Sequence, residues 1–510
     1  MKVINLFIFI ALWLTQSVLP AFSGNPDTTN YIKVGYKLEM FGSAAYQSTT
    51  PFLMHSNTYG TVPLDANNGG LRGGVNGFYR FNPNLSLEAG VDYLVRNTDG
   101  INYNRGKINP CFQQLYLSLD FHAFRLKFGS KEDYHSILDP ALSSGDGMLS
   151  TNARPIPEIN LSIPEFTAVP FTRGYLQVKG DFAAGKFMDD KYVLSLVNEK
   201  SSYVQRRLLH HKSVYLMLKK TQAQSFFLIL GGEDYAQWGG WHSKLGDQPQ
   251  TLSDFWRIIK GSEGDDRATV SDQINVLGDH LGTYSLKTGY THSDWELSVY
   301  KQHFFTDKSG MEFANWRDGI WGIECTLPLP YLKKWVFEHF NSTNQSGPFH
   351  FPFSIPGRPD LKTRYGGGDS YYNHGLYNTG WSYFGRAIGN PLITSPEYNT
   401  NGSLGFNDTR IKAYHAGING NISSNLSYRF IASYTEGYGT HGNPYLKKKQ
   451  SFSNLLECNY VYPKWGNWTF TIQFAADSGD IYTNNLGFLL KIEKNGNFQL
   501  KNNTYNEKNY

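Results

Sequence analysis

The chain has 510 residues, 40% of them hydrophobic, 15% aromatic and only 18% charged, which excludes a small peptide, a coiled coil and a disordered tail. With 51 Gly, 34 Tyr, 34 Phe and 11 Trp it is poor in helix formers and rich in strand and turn formers, the composition of a β protein. A formal net charge of +4 is too balanced for an electrostatic nucleic-acid binder, so no nucleic-acid partner is expected.

Residues 1–23 read as a cleaved signal peptide. Lys2 supplies positive charge, Val3 to Leu14 is nearly all apolar, and Ala21-Phe22-Ser23 offers small residues for cleavage after Ser23. Beyond Ser23 no run of about 18 apolar residues occurs, so spanning helices are excluded. Barrel strands are not, because an outer-membrane strand needs only about 9–11 residues whose side chains alternate between lipid and lumen.

In chain order, strands are expected near 31–41, 71–81, 85–93, 112–121, 124–129, 175–182, 191–197, 212–220 and 225–231. A second set follows near 283–291, 295–304, 319–327, 335–341, 411–419, 426–434, 453–462, 468–476 and 486–494. The alternation is plainest where Leu115, Leu117, Leu119 and Phe121 interleave with Tyr116, Ser118 and Asp120, and, after a turn at His122-Ala123, where Phe124, Leu126 and Phe128 interleave with Arg125 and Lys127. Near the C-terminus, Trp468, Phe470, Ile472 and Phe474 interleave with Thr469, Thr471 and Gln473 after a Gly466-Asn467 turn.

Alternation alone suits a soluble β-sandwich as well as a barrel turned inside out. Loop lengths separate them: short turns alternate with long excursions, as when one rim faces the periplasm and the other the outside. The fold class expected is all-β, a transmembrane antiparallel up-and-down β-barrel of about 18 strands, spanning 24–498 and followed by a short polar tail, 499–510. The even count puts both termini on the periplasmic side. The long loops, 130–174, 232–282 and 342–410, are expected to act as a plug or lid over the lumen. In the second, Ser253 is the expected cap of a short helix bearing Phe255, Trp256, Ile258 and Ile259.

No G-x-S-x-G, H-E-x-x-H, Walker or EF-hand pattern is present. Cys111, Cys325 and Cys458 lie far apart without C-x-x-C spacing, so buried thiols are expected with one disulfide left open, and no metal or cofactor site is assigned. His210-His211, His242, Glu233-Asp234 and Asp265-Asp266 read as ordinary polar residues. Glycan recognition fits better, since sugars stack their apolar faces on aromatics and pair their hydroxyls with planar polar groups. The polysaccharide-binding candidates are Tyr371, Tyr372, Asn373, His374, Trp381 and Tyr383, with Arg154, Arg317, Arg364 and Arg386 to meet acidic sugars. Interfacial girdles would use the same aromatics. Glu88, Asp92, Asp120, Arg125 and Lys127 are the lumen-facing candidates.

At these loops the chain resembles the Wzi-like capsule-assembly family of outer-membrane proteins. The resemblance is carried by Gly129-Ser130-Lys131-Glu132, Asn152-Ala153-Arg154-Pro155-Ile156-Pro157, Asn275-Val276-Leu277-Gly278 with His280, Asp318-Gly319 through Pro328, and Tyr371 to Ser395. It implies an 18-stranded outer-membrane barrel that acts as a lectin and helps hold capsular polysaccharide at the cell surface without catalysis. Outer-membrane lipid, capsule export machinery and a monomeric state go with that expectation. Residues 24–30 are too few for a helical plug ahead of the first strand, so any plug has to come from internal segments. Two other readings stand beside the lectin: a porin-like or polysaccharide export channel, and an outer-membrane hydrolase.

Overall fold

The computed structural model describes residues 31–97, 108–219, 225–347, 354–355, 358–362 and 368–501. The expected signal peptide and Arg364 lie outside them. Eighteen strands form one sheet. They are β1 (Tyr31–Ala45), β2 (Asn68–Asn82), β3 (Leu85–Asn97), β4 (Ile108–Phe121), β5 (Phe124–Ser130), β6 (Glu158–Ala168), β7 (Leu176–Lys186), β8 (Leu208–Lys219) and β9 (Ser225–Trp238). The second half comprises β10 (Asp279–Thr291), β11 (Glu296–Phe305), β12 (Gly319–Leu329), β13 (Leu332–Asn341), β14 (Ile411–Asn421), β15 (Leu426–Gly439), β16 (Pro444–Tyr462), β17 (Trp468–Gly479) and β18 (Asn485–Lys501). Neighbours in the chain pair antiparallel, and β1 pairs with both β2 and β18, so the sheet closes and leaves no free edge.

The faces follow the alternation. On β4, Leu115, Leu117, Leu119 and Phe121 are 52%, 43%, 38% and 49% exposed, whereas Ser118 is 1% exposed. Leu216 and Leu218 on β8, Val299 on β11, Phe337 on β13, Phe474 on β17 and Leu490 on β18 continue that exposed apolar ring around the wall. An apolar surface that encircles a closed barrel, with polar side chains buried inside, is the lipid face of a membrane barrel.

Two strand assignments differ from expectation and offset each other in the count. Residues 191–197, expected as a strand, lie mostly in a helix, Asp190–Leu196, that buries Tyr192 and Val193. A seven-residue apolar run does not distinguish the two periods, and the buried pair of Asp189 with Arg207 at 2.9 Å fixes the turn that starts the helix. Conversely, β6 lies inside the excursion expected at 130–174. Pro164 made that stretch read as loop, but it sits where the β6–β7 register breaks, between Ile163↔Gly180 and Thr167↔Val178, so its missing N–H costs no ladder bond. The excursion is therefore 131–157. The last strand runs to Lys501, past the expected start of the tail.

The remaining excursions take two routes. Segments 46–67, 131–157 and 368–410 fold into the lumen, where Phe52, Met54, Leu142, Met148, Trp381 and Ile388 join one buried apolar cluster with inward residues of the wall. Segment 239–278 goes the other way and packs on the outer face of the wall. Its helix, Leu252–Lys260, starts at a capping box of Thr251 with Asp254, one residue before the helix, in place of the expected Ser253, and ends at Gly261 in the left-handed region. Ile258 packs on Ala236 and Trp238, outward residues at the top of β9. Beneath that cover lie the outward charges Asp234 and Lys212, paired at 2.6 Å, with His280 3.0 Å from Asp234. The strand expected to end at 231 therefore runs on to Trp238, and the loop expected from 232 begins at 239.

Candidate functional site

Loop 131–157 crosses the lumen and is fastened to successive strands. Lys127 of β5 pairs with Asp133 at 2.7 Å, Lys287 of β10 donates to the Ile137 carbonyl at 2.9 Å, and Lys334 of β13 pairs with Asp139 at 2.9 Å. His415 of β14 donates through Nε2 to the Leu142 carbonyl at 2.9 Å. Glu338 of β13 accepts from the Ser144 N–H at 2.7 Å, and the Gln302 amide of β11 bridges Asp146 (2.6 Å) and the Gly147 N–H (3.2 Å). Each partner is an inward polar residue of the wall, so the polar face of the barrel is met by protein instead of water.

Segment 368–410 lies against this loop, and most of the expected glycan-binding aromatics are consumed there. Trp381, fully buried, donates its indole N–H to the Met148 carbonyl at 2.7 Å. Tyr372 donates to the Gly147 carbonyl and accepts from the Asn390 N–H at 2.7 Å. Tyr371 donates to Asp318 at 2.9 Å and accepts from the Asn315 amide. Burial, with Asp318 beside it, pushes the Tyr371 hydroxyl well above its ordinary range. Tyr383 is buried against Phe187 and Phe384. These four rings have no face free for a sugar; the hydroxyls of Tyr371 and Tyr372 and the indole of Trp381 satisfy acid and backbone partners, which is why they are buried.

Arg386 is corrected in the same way. It is 5% exposed and donates to the His55 and Val62 carbonyls and, at 2.9 Å, to His55 Nδ1. That fixes the tautomer: Nε2 carries the proton and donates to Glu397 at 2.7 Å. Burial, then the Arg386 guanidinium, holds the His55 imidazole below its usual range, against the pull of Glu397. Arg154 is half-buried, its guanidinium 4.9 Å from the Phe384 ring centroid. Asn373 exchanges two hydrogen bonds with the Phe406 backbone at 2.8 and 2.9 Å, and His374 accepts from the Leu376 N–H at 3.2 Å; both are half-buried.

The lumen-facing candidates do point inward, and all are engaged. Asp92 pairs with Arg72 at 2.8 Å, Glu88 with Lys131 at 3.0 Å, Asp120 with Arg125 at 2.7 Å, and Lys127 also reaches Glu158 at 3.2 Å. His210 and His211 point to opposite faces. His211 sits inside between Glu158 (2.8 Å) and Asp181 (2.7 Å), while His210 lies outside beneath the Phe255 ring at 5.4 Å. Neighbours on a strand cannot share a metal ion this way. The three cysteines are free thiols.

The interior cavities among the described residues include two small ones. One, of ≈40 Å³, lies between the Phe52–Met54 turn and Arg429, and the other, of ≈50 Å³, lies between His135, Glu158 and Trp381. Since one water occupies about 30 Å³ of liquid, their size suits a water and not a sugar ring. Exposed groups of glycan-binding type lie at the extracellular end. Arg317, an expected candidate, stacks 5.4 Å from the ring of Trp316, which is 59% exposed. The hairpin of β15 and β16 rises above its neighbour, because β17 ends opposite Ser451. It carries exposed Lys447, Lys448 and Lys449, with Lys449 4.5 Å from the Tyr445 ring. This lysine run is visible in the sequence as Lys447-Lys448-Lys449, but only the structure shows that it rises above the neighbouring strand.

A closed 18-stranded barrel with an apolar outer belt and a lumen filled by its own loops is an outer-membrane β-barrel protein. The chain belongs to the Wzi capsule-assembly family, whose description, "Capsule assembly protein Wzi", matches residues 56–395. Among solved structures it is similar to Wzi of Escherichia coli, an outer-membrane protein involved in group 1 capsule assembly, with 14% identity and a TM-score of 0.55 over 90% of this chain and 84% of that one. Weaker likenesses are OpdQ of Pseudomonas aeruginosa (8% identity, TM-score 0.40, 92% and 99% covered) and a loop-deleted OmpT of Vibrio cholerae (9%, 0.37, 92% and 100%). No curated protein sequence matches the chain.

Proposed function

We propose that this barrel binds carbohydrate at the cell surface and retains capsular polysaccharide there without catalysing a reaction. Its family is one of capsule assembly, and the Escherichia coli relative is described as a carbohydrate-binding β-barrel. The observation that carries the reading is the filled lumen: with interior cavities of ≈40 and ≈50 Å³, a polysaccharide is held from outside and not threaded through. The channel reading would need the fastened 131–157 loop to leave the barrel.

On this reading the glycan meets the extracellular rim. Lys447 and Lys449 beside Tyr445, and Arg317 stacked on Trp316, pair a cation with an aromatic face, the combination an acidic sugar chain uses. Asn373 and His374 contribute from the half-buried edge of the plug. The test compares cell-bound with shed polysaccharide, at constant total synthesis, in cells lacking the protein and restored with wild type or with Lys447→Ala/Lys449→Ala. Shedding that wild type reverses and the double variant reverses poorly is the expected result. Unchanged retention without the protein sinks capsule attachment; full rescue by the variant removes the hairpin from the site.

A further inference from the structure

On the outer face of the wall, beneath the Leu252–Lys260 helix, lies a groove of ≈550 Å³. Its floor is formed by Ile159, Ala184 and Leu208 at the extracellular ends of β6, β7 and β8, and its side by Trp238, Leu252 and Phe255. Phe255 stacks on Trp238 with centroids 5.5 Å apart and turns an edge to His210, so the helix stands off the wall on aromatic spacers.

We propose that this groove seats an acyl chain of a phosphate-bearing lipid of the outer leaflet. Continuity comes first: Ile159 is 54% exposed, and its β5 neighbour Phe128 and the next outward residue of β6, Leu161, are each 43% exposed, so along β5 and β6 the floor runs into the lipid belt, while His210 and Lys212 lie to the β8 side under the helix. The helix is built for an interface as well. Ile258 and Ile259 are buried, while Leu252, at the groove's rim, and Trp256, one turn on, are 81% and 51% exposed. Trp at that level anchors where acyl chains meet headgroups. The lining has one cation, the exposed Lys186, placed for a headgroup phosphate. Its one anion, Glu158, is engaged from inside by His211 and Lys127 and does not repel that phosphate.

The experiment uses the full protein in vesicles of phosphatidylglycerol whose acyl chains are brominated at mid-chain, with unbrominated vesicles as reference. The contribution of Trp238 is the fluorescence difference between wild type and Trp238→Phe. Bromine should quench most of it, and Ala184→Phe, which fills the groove floor, should restore it. A Trp238 signal that bromine does not quench, or that is quenched equally in Ala184→Phe, overturns the proposal. Lys186→Glu, on an exposed side chain, is the second variant. It should lower the phospholipid phosphate that stays with each chain after detergent exchange, and equal retention would overturn the assignment of a phosphate-bearing lipid.

Discussion

Trp381 donates its indole N–H to the carbonyl oxygen of Met148 across 2.7 Å, and so locks segment 368–410 onto the loop that crosses the lumen. The two residues are separated by 233 positions in the chain, and both are buried. Through Met148's neighbours Asp146 and Gly147, the contact continues to Gln302 in the wall. With segment 46–67, the two loops form one plug, fastened at polar points around an apolar centre.

Replacing Trp381 by Ala removes the largest buried side chain of that centre and leaves the Met148 carbonyl without its donor. The expected cost is about 3–5 kcal/mol, borne by the plug and not the wall. The barrel should still insert and keep its heat-modifiable gel mobility. In planar bilayers the variant should show frequent conducting events where wild type is nearly silent. A silent variant would mean that the wall contacts of 131–157 suffice to hold the plug.

Phe474 and Gln473 are neighbours on β17 with opposite surroundings. Phe474 is 56% exposed on the lipid face, whereas Gln473 points inward and donates to Glu457 at 2.6 Å. Phe474→Lys should destabilise the inserted barrel by about 2–4 kcal/mol in a lipid-bilayer unfolding titration. Gln473→Lys puts a cation beside Glu457 and should be milder. The reverse order would invert the assignment of faces.

Asp408 gives the extracellular rim a pH dependence. Burial pushes its carboxyl up to about 7, against the N–H groups of Gly439 and Tyr438 that donate to Oδ1 at 2.8 and 3.2 Å. A raised carboxyl pKa means that the folded rim holds this proton more tightly than the unfolded chain. The stabilisation is complete below the ordinary carboxylate value and is lost as pH rises through about 7. Amide exchange at Gly439, corrected for its intrinsic rate, should therefore accelerate between about pH 5 and pH 8 in wild type and not in Asp408→Asn. Identical profiles would show that the carboxyl does not control the hairpin base. Gly437 is part of the same device, since a Cβ there would overlap the Asp408 carboxylate.

Much of the wall was legible because each strand carries its own record. Ser118, 1% exposed, lies between Leu117 and Leu119, which are 43% and 38% exposed, and that contrast is a local, period-2 property. The two errors came where a local signal was ambiguous: Pro164 sits at a register break that sequence does not display, and residues 191–197 are too short to separate strand from helix. The site was less legible. Trp381, Tyr371 and Tyr372 have the composition of a sugar platform, yet their hydrogen-bonding groups are spent on Met148, Asp318 and Gly147.

By itself, the sequence determined the class of protein: a β-barrel with alternating faces, short turns on one rim and long loops on the other, since alternation and turn chemistry act within a few residues. Tertiary structure alone decided where the loops go. Segment 131–157 enters the lumen because inward Lys287, Glu338 and His415 offer partners to its backbone groups, and segment 368–410 follows because Trp381 and Tyr372 bond to Met148 and Gly147 of that loop. Segment 239–278 goes outside because Asp234, Lys212 and His280 need cover on a wall that otherwise faces lipid. Both outcomes rest on matching polar groups between distant segments, and no local pattern encodes such a match.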